Sequence, residues 1–220
     1  MVALDSVMIE SEETVINARV QIHMIADNWG VPVLIVLNNG VKGPGPARNI
    51  TLSYLEAPYM LVVDSDDLIC SQGVISMLDA LESNKDIGWA AGRAPHIDLE
   101  ENVLWMGPED YFKEGIIETS NSFWEAKLEL GGIAFLGNST LARTEVVKAV
   151  GGWPSRIRRR AEDTALWAVL GSQYRGYWVP EDVYLYRRHP NSVTHQPGFR
   201  ELDEGLDEIR EMIKAGTTQI

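Results

Sequence analysis

Two uninterrupted apolar runs limit the fold of this chain more than any other feature. They are "VPVLIVL", Val31 to Leu37, and the "YMLVV" of "APYMLVVDSDDLICS", Tyr59 to Val63. Neither alternates apolar with polar residues, as a half-solvated strand would. A strand that is apolar throughout is covered on both faces, as in parallel sheets with helices above and below. The flanking residues supply such helices. Glu12 to Asn28 carries an apolar stripe of Val15, Ile16, Ala18, Val20, Ile22, Ile25 and Ala26 at approximately helical spacing. "GPGPARN" is turn-rich, and Pro46 suits the first turn of a helix running to about Leu55. Ser71 is placed to cap a helix reaching about Ser83. Val2 to Ile9 reads as a first strand and "DIGWAAGRAP" as a later one. Together these make a βαβ rhythm. It predicts an α/β fold, with a mostly parallel central sheet flanked by helices in one domain. Ligands of such sheets bind beyond the carboxyl ends of the strands, so Asn38, Asn39 and Asp64 to Asp67 belong on the binding edge.

After Pro95 the pattern loosens. Trp105, Tyr111, Phe112, Phe123 and Trp124 are scattered among glycine, proline and acids, and read as an excursion facing a substrate. "GGIAFLGNSTLAR", Gly131 to Arg143, returns to strand-like sequence. Thr144 to Val150 reads as a short helix, "GGWP" as a turn, and Thr164 to Leu170 as the body of another helix. "YWVPEDVYLYRRH" reads as two short strands around Pro180, and Arg200 to Lys214 as a charged helix.

Composition narrows the partners. The 220 residues are 45% hydrophobic, enough for a proper core. Acids outnumber lysine and arginine 32 to 19, a net charge of −13, which argues against nucleic acid as a general partner. Cys70 is the only cysteine, so no intrachain disulfide forms and a reducing, cytoplasmic setting is expected. No stretch approaches 18 apolar residues, and no basic segment precedes an apolar run at the N-terminus. Neither a membrane span nor a signal peptide is therefore expected.

The second apolar run ends on Asp64, Asp66 and Asp67. Like charges that close repel, and folding gains nothing from them alone. Clustered carboxylates are hard oxygen ligands, suited to magnesium, manganese or calcium. Two of them suffice when a diphosphate provides further oxygens. The alternative is that they cap the helix that follows. Glu162 and Asp163 raise the same choice at the start of an apolar helix: helix-start acids, or a general base that takes a proton from an attacking hydroxyl.

Four stretches in order carry a resemblance. "GPGPARNITLSYLEAPYMLVVDSDD", "GNSTLARTEVVKAVGGWP", "EDTALWAVL" and "YLYRRHPNSVT" resemble the motifs of family 2 glycosyltransferases of the GT-A fold, over roughly Val31 to Thr194. The resemblance implies transfer of a sugar, with inversion, from a nucleotide-diphosphate donor, most simply a UDP-sugar, to an acceptor hydroxyl. Asp64 and Asp66 match the D-x-D motif and Asp67 the acid after it. By resemblance they hold Mn2+ or Mg2+ and touch the ribose. Arg48 and Asn49 match an A-R-N motif near the nucleotide, and Asp163 the catalytic base, with Glu162 beside it. His189 is either a further metal ligand or a loop histidine. Arg187 and Arg188 either neutralise phosphate or are solvated. Trp153 either stacks on a sugar or lies in the core.

The resemblance divides the single domain into a nucleotide-sugar half (1–94), an acceptor and catalytic half (95–199) and a C-terminal helix and tail (200–220). "RIRRR", with Arg156, Arg158, Arg159 and Arg160, is expected to be a lid over donor phosphates, a grip on an anionic acceptor, or a solvated loop. The first run, Val31 to Leu37, ends "LNNG" where the family has an aspartate pair followed by Gly-Ser. Asn38 or Asn39 would meet the nucleotide base there without charge. The rival reading is a non-catalytic sugar-nucleotide-binding module or an inactive partner subunit.

Overall fold

The structure, a computed structural model, describes residues 2–4, 16–17, 20–22, 24, 27–28, 30, 34–37, 43–106, 113–121, 123–125, 137–157, 161–190 and 205–220. In chain order β1 (Val2–Leu4) and β2 (Ile35–Leu37) lead to helix α1 (Pro44–Tyr54) and β3 (Tyr59–Leu61). Then come β4 (Leu68–Ile69), α2 (Ser71–Ser83), β5 (Ile87–Arg93), β6 (His96–Ile97), β7 (Val103–Trp105) and β8 (Gly115–Ile117). The last part holds β9 (Thr140–Arg143), α3 (Thr144–Ala149), α4 (Glu162–Gln173), β10 (Arg175–Asp182), β11 (Tyr184–Arg187) and α5 (Leu206–Ala215).

A central sheet runs β3-β9-β5-β10-β8 among the described residues. Strands β5 and β10 pair in parallel, and β9 runs antiparallel between β3 and β5. Strands β3, β5 and β10 therefore share one direction, with β9 and the edge strand β8 opposed. Strands β1 and β2 pair in parallel, as their expected place in an α/β sheet requires. A second sheet, β4-β11-β6-β7, sits beyond the end of β10, joined to it through Val183.

Helices cover both faces of the central sheet, and the strand sequences explain why. Strand β5, "IGWAAGR", is buried from Ile87 to Gly92. The pleat sends Ala90, Leu141 and Val179 to one side, where they meet Met77 and Leu81 of α2. It sends Trp89, Ala91, Ala142 and Trp178 to the other, where they meet Ala165, Leu166 and Val169 of α4. Helix α4 has no polar face from Thr164 to Ser172, and every residue in that span is buried. A helix apolar all round needs cover on both sides. The sheet covers one side, and Ile209, Met212 and Ile213 of α5 belong to the same cluster. No helix among the described residues is long and apolar enough to cross a membrane.

Four local expectations are corrected. Strand β3 is half-buried: among the described residues it lies at the edge of the central sheet, and Val63 beyond it is exposed. Helix α2 starts at Ser71 with Cys70 in the capping position and no side-chain cap. The break near Pro180 falls at Val183 instead. Strand β10 carries Pro180 where its pairing with β5 shifts register, so the missing N–H costs no ladder bond. In the first helical segment Ile16 and Val20 are exposed, so they do not form a core-facing stripe. Helix α1 begins at Pro44, which leaves Pro46 in its first turn as expected.

Candidate active site

The three acids after β3 share one tight turn, closed by Asp67 N–H donating to Asp64 O at 3.3 Å, yet each has different partners. Asp64 accepts from Arg48 Nη2 at 3.2 Å on Oδ1 and from Asn138 Nδ2 at 2.7 Å on Oδ2. Asp67 accepts from the Tyr184 hydroxyl on one oxygen and from Arg187 N–H on the other, both at 2.6 Å. Asp66 is half-exposed, with Oδ2 2.9 Å from His189 Nε2.

Arg48, on α1, brings the two acidic motifs together. Its Nη1 donates to Asp163 Oδ1 at 2.6 Å and lies 3.7 Å from Glu162 Oε1, while Nη2 holds Asp64. Gly45 allows this approach. A Cβ there would lie 3.3 Å from Trp153 Cβ and 3.4 Å from Glu162 Cγ, tighter than side chains normally pack. Burial works against the Arg48 charge, but Asp163, Asp64 and Glu162 outweigh it and raise its pKa. Glu162 is 7% exposed. Burial pushes its carboxyl above the usual range and Asp163 adds to the rise, with Arg48 opposing. Asp67 is also raised by burial, against the two hydrogen bonds it accepts.

Asp163 sits in the first turn of α4, beside the apolar body that anchors the helix. Trp153 Nε1 donates to Asp163 Oδ1 at 2.6 Å, so Oδ1 takes two donors. Oδ2 has no hydrogen-bond partner among the described residues. Trp153 is 1% exposed and belongs to the core, which rules out sugar stacking. Asn49, expected beside the nucleotide, pairs instead with the Trp153 backbone, donating to its O at 2.7 Å and accepting from its N–H at 2.8 Å. Its amide is committed to the turn that carries the tryptophan.

Tyr184 and Asn138 were not among the residues expected from sequence. Tyr184, 1% exposed on β11, donates to Asp67 and accepts from Asp64 N–H at 3.1 Å and Asn138 Nδ2 at 3.0 Å. Neither has a local signature: a tyrosine in a strand and an asparagine before one are ordinary. Arg187 donates to the backbone carbonyls of Asp66, at 2.9 Å, and Asp98, at 3.2 Å, so it braces the turn. The side chains of Arg188 and Arg156 are exposed. Asn38, Asn39, Arg158, Arg159 and Arg160 lie outside the described residues.

Among the described residues no cluster of three or more His, Cys, Asp or Glu side chains is arranged to hold a metal ion. The expected set of Asp64, Asp66, Asp67 and His189 does not converge, because Asp64 and Asp67 face protein donors. Asp66 and His189 do face one another, with an oxygen and a nitrogen 2.9 Å apart. That donor pair fits a hard divalent ion completed by water and diphosphate oxygens. The region also has an excess of negative charge, with Asp64, Glu162 and Asp163 around the single guanidinium of Arg48.

No family model matches the chain, and no curated protein matches it. Solved structures do. S. aureus TarS 1-349 in complex with UDP superimposes with a TM-score of 0.60 at 18% identity, over 90% of this chain and 52% of that one. TarS 1-349 gives 0.56 at 18% identity, over 76% of this chain and 47% of that one. The fold is the GT-A glycosyltransferase fold. The chain spans about half the length of these two TarS structures. In this GT-A chain the Asp64–Asp67 turn lies where β3 ends, and α4 presents Asp163 to it through Arg48.

Proposed function

We propose that this chain transfers a sugar from a nucleotide diphosphate, most simply UDP, to an acceptor hydroxyl with inversion. The observation that carries the reading is Arg48, which joins Asp64 and Asp163 through one guanidinium and so brings the acidic turn and the first turn of α4 to one place. The TarS structure with UDP supports the choice of nucleotide.

Asp163 is the base. Its Oδ1 is fixed by Arg48 and Trp153, which leaves Oδ2 to take the proton of the acceptor hydroxyl. The freed oxygen attacks the anomeric carbon, the bond from that carbon to the diphosphate oxygen breaks, and the nucleotide diphosphate leaves. Inversion requires attack from the face opposite the leaving group, so base and diphosphate flank the sugar. Asp66 and His189 would hold a magnesium or manganese ion. When bound, that ion offsets the charge developing on the leaving diphosphate. Asp64 orients the donor with Arg48 and Asn138, while Asp67, Tyr184 and Arg187 keep the turn in shape. Exposed Arg188 and Arg156 supply positive charge for donor phosphate or an anionic acceptor.

The test is turnover of a panel of nucleotide sugars with Mn2+, with and without EDTA, in the presence and absence of candidate acceptors. Release of UDP that stops on chelation supports the reading. Saturable UDP-sugar binding with neither transfer nor hydrolysis would favour the non-catalytic binding module instead.

A further inference from the structure

Asn138 Oδ1 is shielded from solvent and has no hydrogen-bond partner among the described residues. Buried acceptors in native structures are nearly always satisfied by protein, water or ligand, so one left open beside the candidate active site has room in its bonding for a ligand donor. The orientation of the amide is forced. Asp64 is an acceptor when ionised, so the group 2.7 Å from its Oδ2 must be the NH2 of Asn138. The second N–H of that group goes to the Tyr184 hydroxyl at 3.0 Å. That hydroxyl has its own proton on Asp67 and its remaining lone pair on Asp64 N–H, so it has nothing left to give back to Asn138. Both amide donors are therefore engaged, and the carbonyl oxygen is left without a partner among the described residues.

The segment that carries it is rigid on both sides. Gly137 O accepts from Trp167 Nε1 of α4 at 3.1 Å, and Ser139 O accepts from Gly92 N–H of β5 at 3.3 Å. Asn138 is thus tied to the helix that bears Asp163 and to the centre of the sheet at once.

We propose that Asn138 is a specificity-determining residue whose Oδ1 accepts a hydrogen bond from a hydroxyl of the transferred sugar. The chemistry excludes the diphosphate, and position decides among the hydroxyls of the donor. A diphosphate oxygen has no proton to offer and would repel a carbonyl. Asn138 is one hydrogen bond from Asp64, which is one guanidinium from Asp163. The sugar has to lie on that side, since Asp163 serves its anomeric carbon. The inference rests on the proposed glycosyl transfer and adds to it the residue that selects the sugar.

The test is calorimetric titration of the whole chain in Mn2+ with UDP, a panel of UDP-sugars, and the deoxy analogues of the tightest binder. One deoxy analogue is expected to bind the native chain roughly ten- to a hundredfold more weakly, because the buried acceptor stays unpaired. In Asn138→Ala that ratio is expected to fall to about one; Asn138→Ser replaces it if the alanine variant does not fold. The ratio between the two sugars is the readout, since a merely structural loss would weaken both alike. If no deoxy analogue loses affinity for the native chain, or if the ratio persists in the variant, the inference is overturned while glycosyl transfer stands. If no UDP-sugar binds at all, the proposed function is overturned and this inference with it.

Discussion

Arg48 and Asp163 lie far apart in the chain, yet Nη1 of one and Oδ1 of the other are 2.6 Å apart. The contact fixes one carboxylate oxygen and leaves its twin free, an asymmetry that a base needs if it is to meet its substrate in a single orientation. Trp153 reinforces it from the core side at the same distance.

Asp163→Asn keeps an Oδ1 that accepts from both Arg48 and Trp153, and removes the group that takes the proton together with one of the three negative charges around Arg48. Transfer is expected to fall by about 10²–10⁴-fold in kcat. Donor affinity, read by titration with UDP-sugar, should stay within about threefold, since the substitution keeps the shape of the side chain and Arg48 keeps its ion pair with Asp64. Native turnover in this variant would remove Asp163 from the role of base.

Glu162 gives a pH dependence of defined sign. Its folded pKa is raised, first by burial and then by Asp163, so the folded chain holds this proton more tightly than the unfolded chain. Its effect on stability is absent below the ordinary value of about 4.3, and grows unfavourable as pH rises from there through the folded value. Glu162→Gln mimics the protonated form. Its Tm relative to the native chain should therefore improve as pH rises from 4 to 7, measured by thermal melts at a series of pH values. A difference that is flat or falls with pH would contradict the assignment.

Tyr184→Phe removes the hydroxyl that serves Asp67, Asp64 N–H and Asn138 together. Three partly buried groups lose a partner for the sake of one atom. Urea unfolding is expected to show a loss of about 1–3 kcal/mol, the usual cost of leaving buried polar groups unpaired. The same variant should bind donor more weakly, since Asp64 loses its backbone anchor.

Gly152 has a φ of +68°, and a Cβ there would run into Asn49 Oδ1. Gly152→Ala therefore combines left-handed strain with a clash against the side chain that holds the Trp153 backbone. It is expected to cost about 1–3 kcal/mol in stability. It should also lower kcat more than it raises KM for donor, because Trp153 orients the base and touches no substrate.

Much of this architecture was legible in advance. The apolar runs announced strands, Pro46 marked the first turn of a helix at "GPGPARN", and the acids at 64–67 stood out because like charges so close repel one another. What escaped prediction depends on contacts across the chain. Tyr184 meets Asp64 and Asp67 across about 120 residues, and nothing near Tyr184 records that meeting. Asn49 lies in a motif that suggested the nucleotide, yet its amide is claimed by the backbone 104 residues on. The edge position of β3 escaped too, because an apolar strand says that it is covered and not by how many neighbours. The antiparallel placement of β9 was hidden for the same reason: "TLAR" fits a strand of either direction.

That placement has a bearing on how the chain is made. Strands β3 and β5 are never adjacent; β9, which reaches both, leaves the ribosome some fifty residues after β5. Until then the nascent chain carries two apolar strands with open edges and no seam between them, a state prone to wrong pairing. The sheet is complete only with Arg175–Asp182, and Asp64 meets its partners only once Asn138 and Tyr184 are made, so the acidic turn after β3 acquires its fixed surroundings late in synthesis.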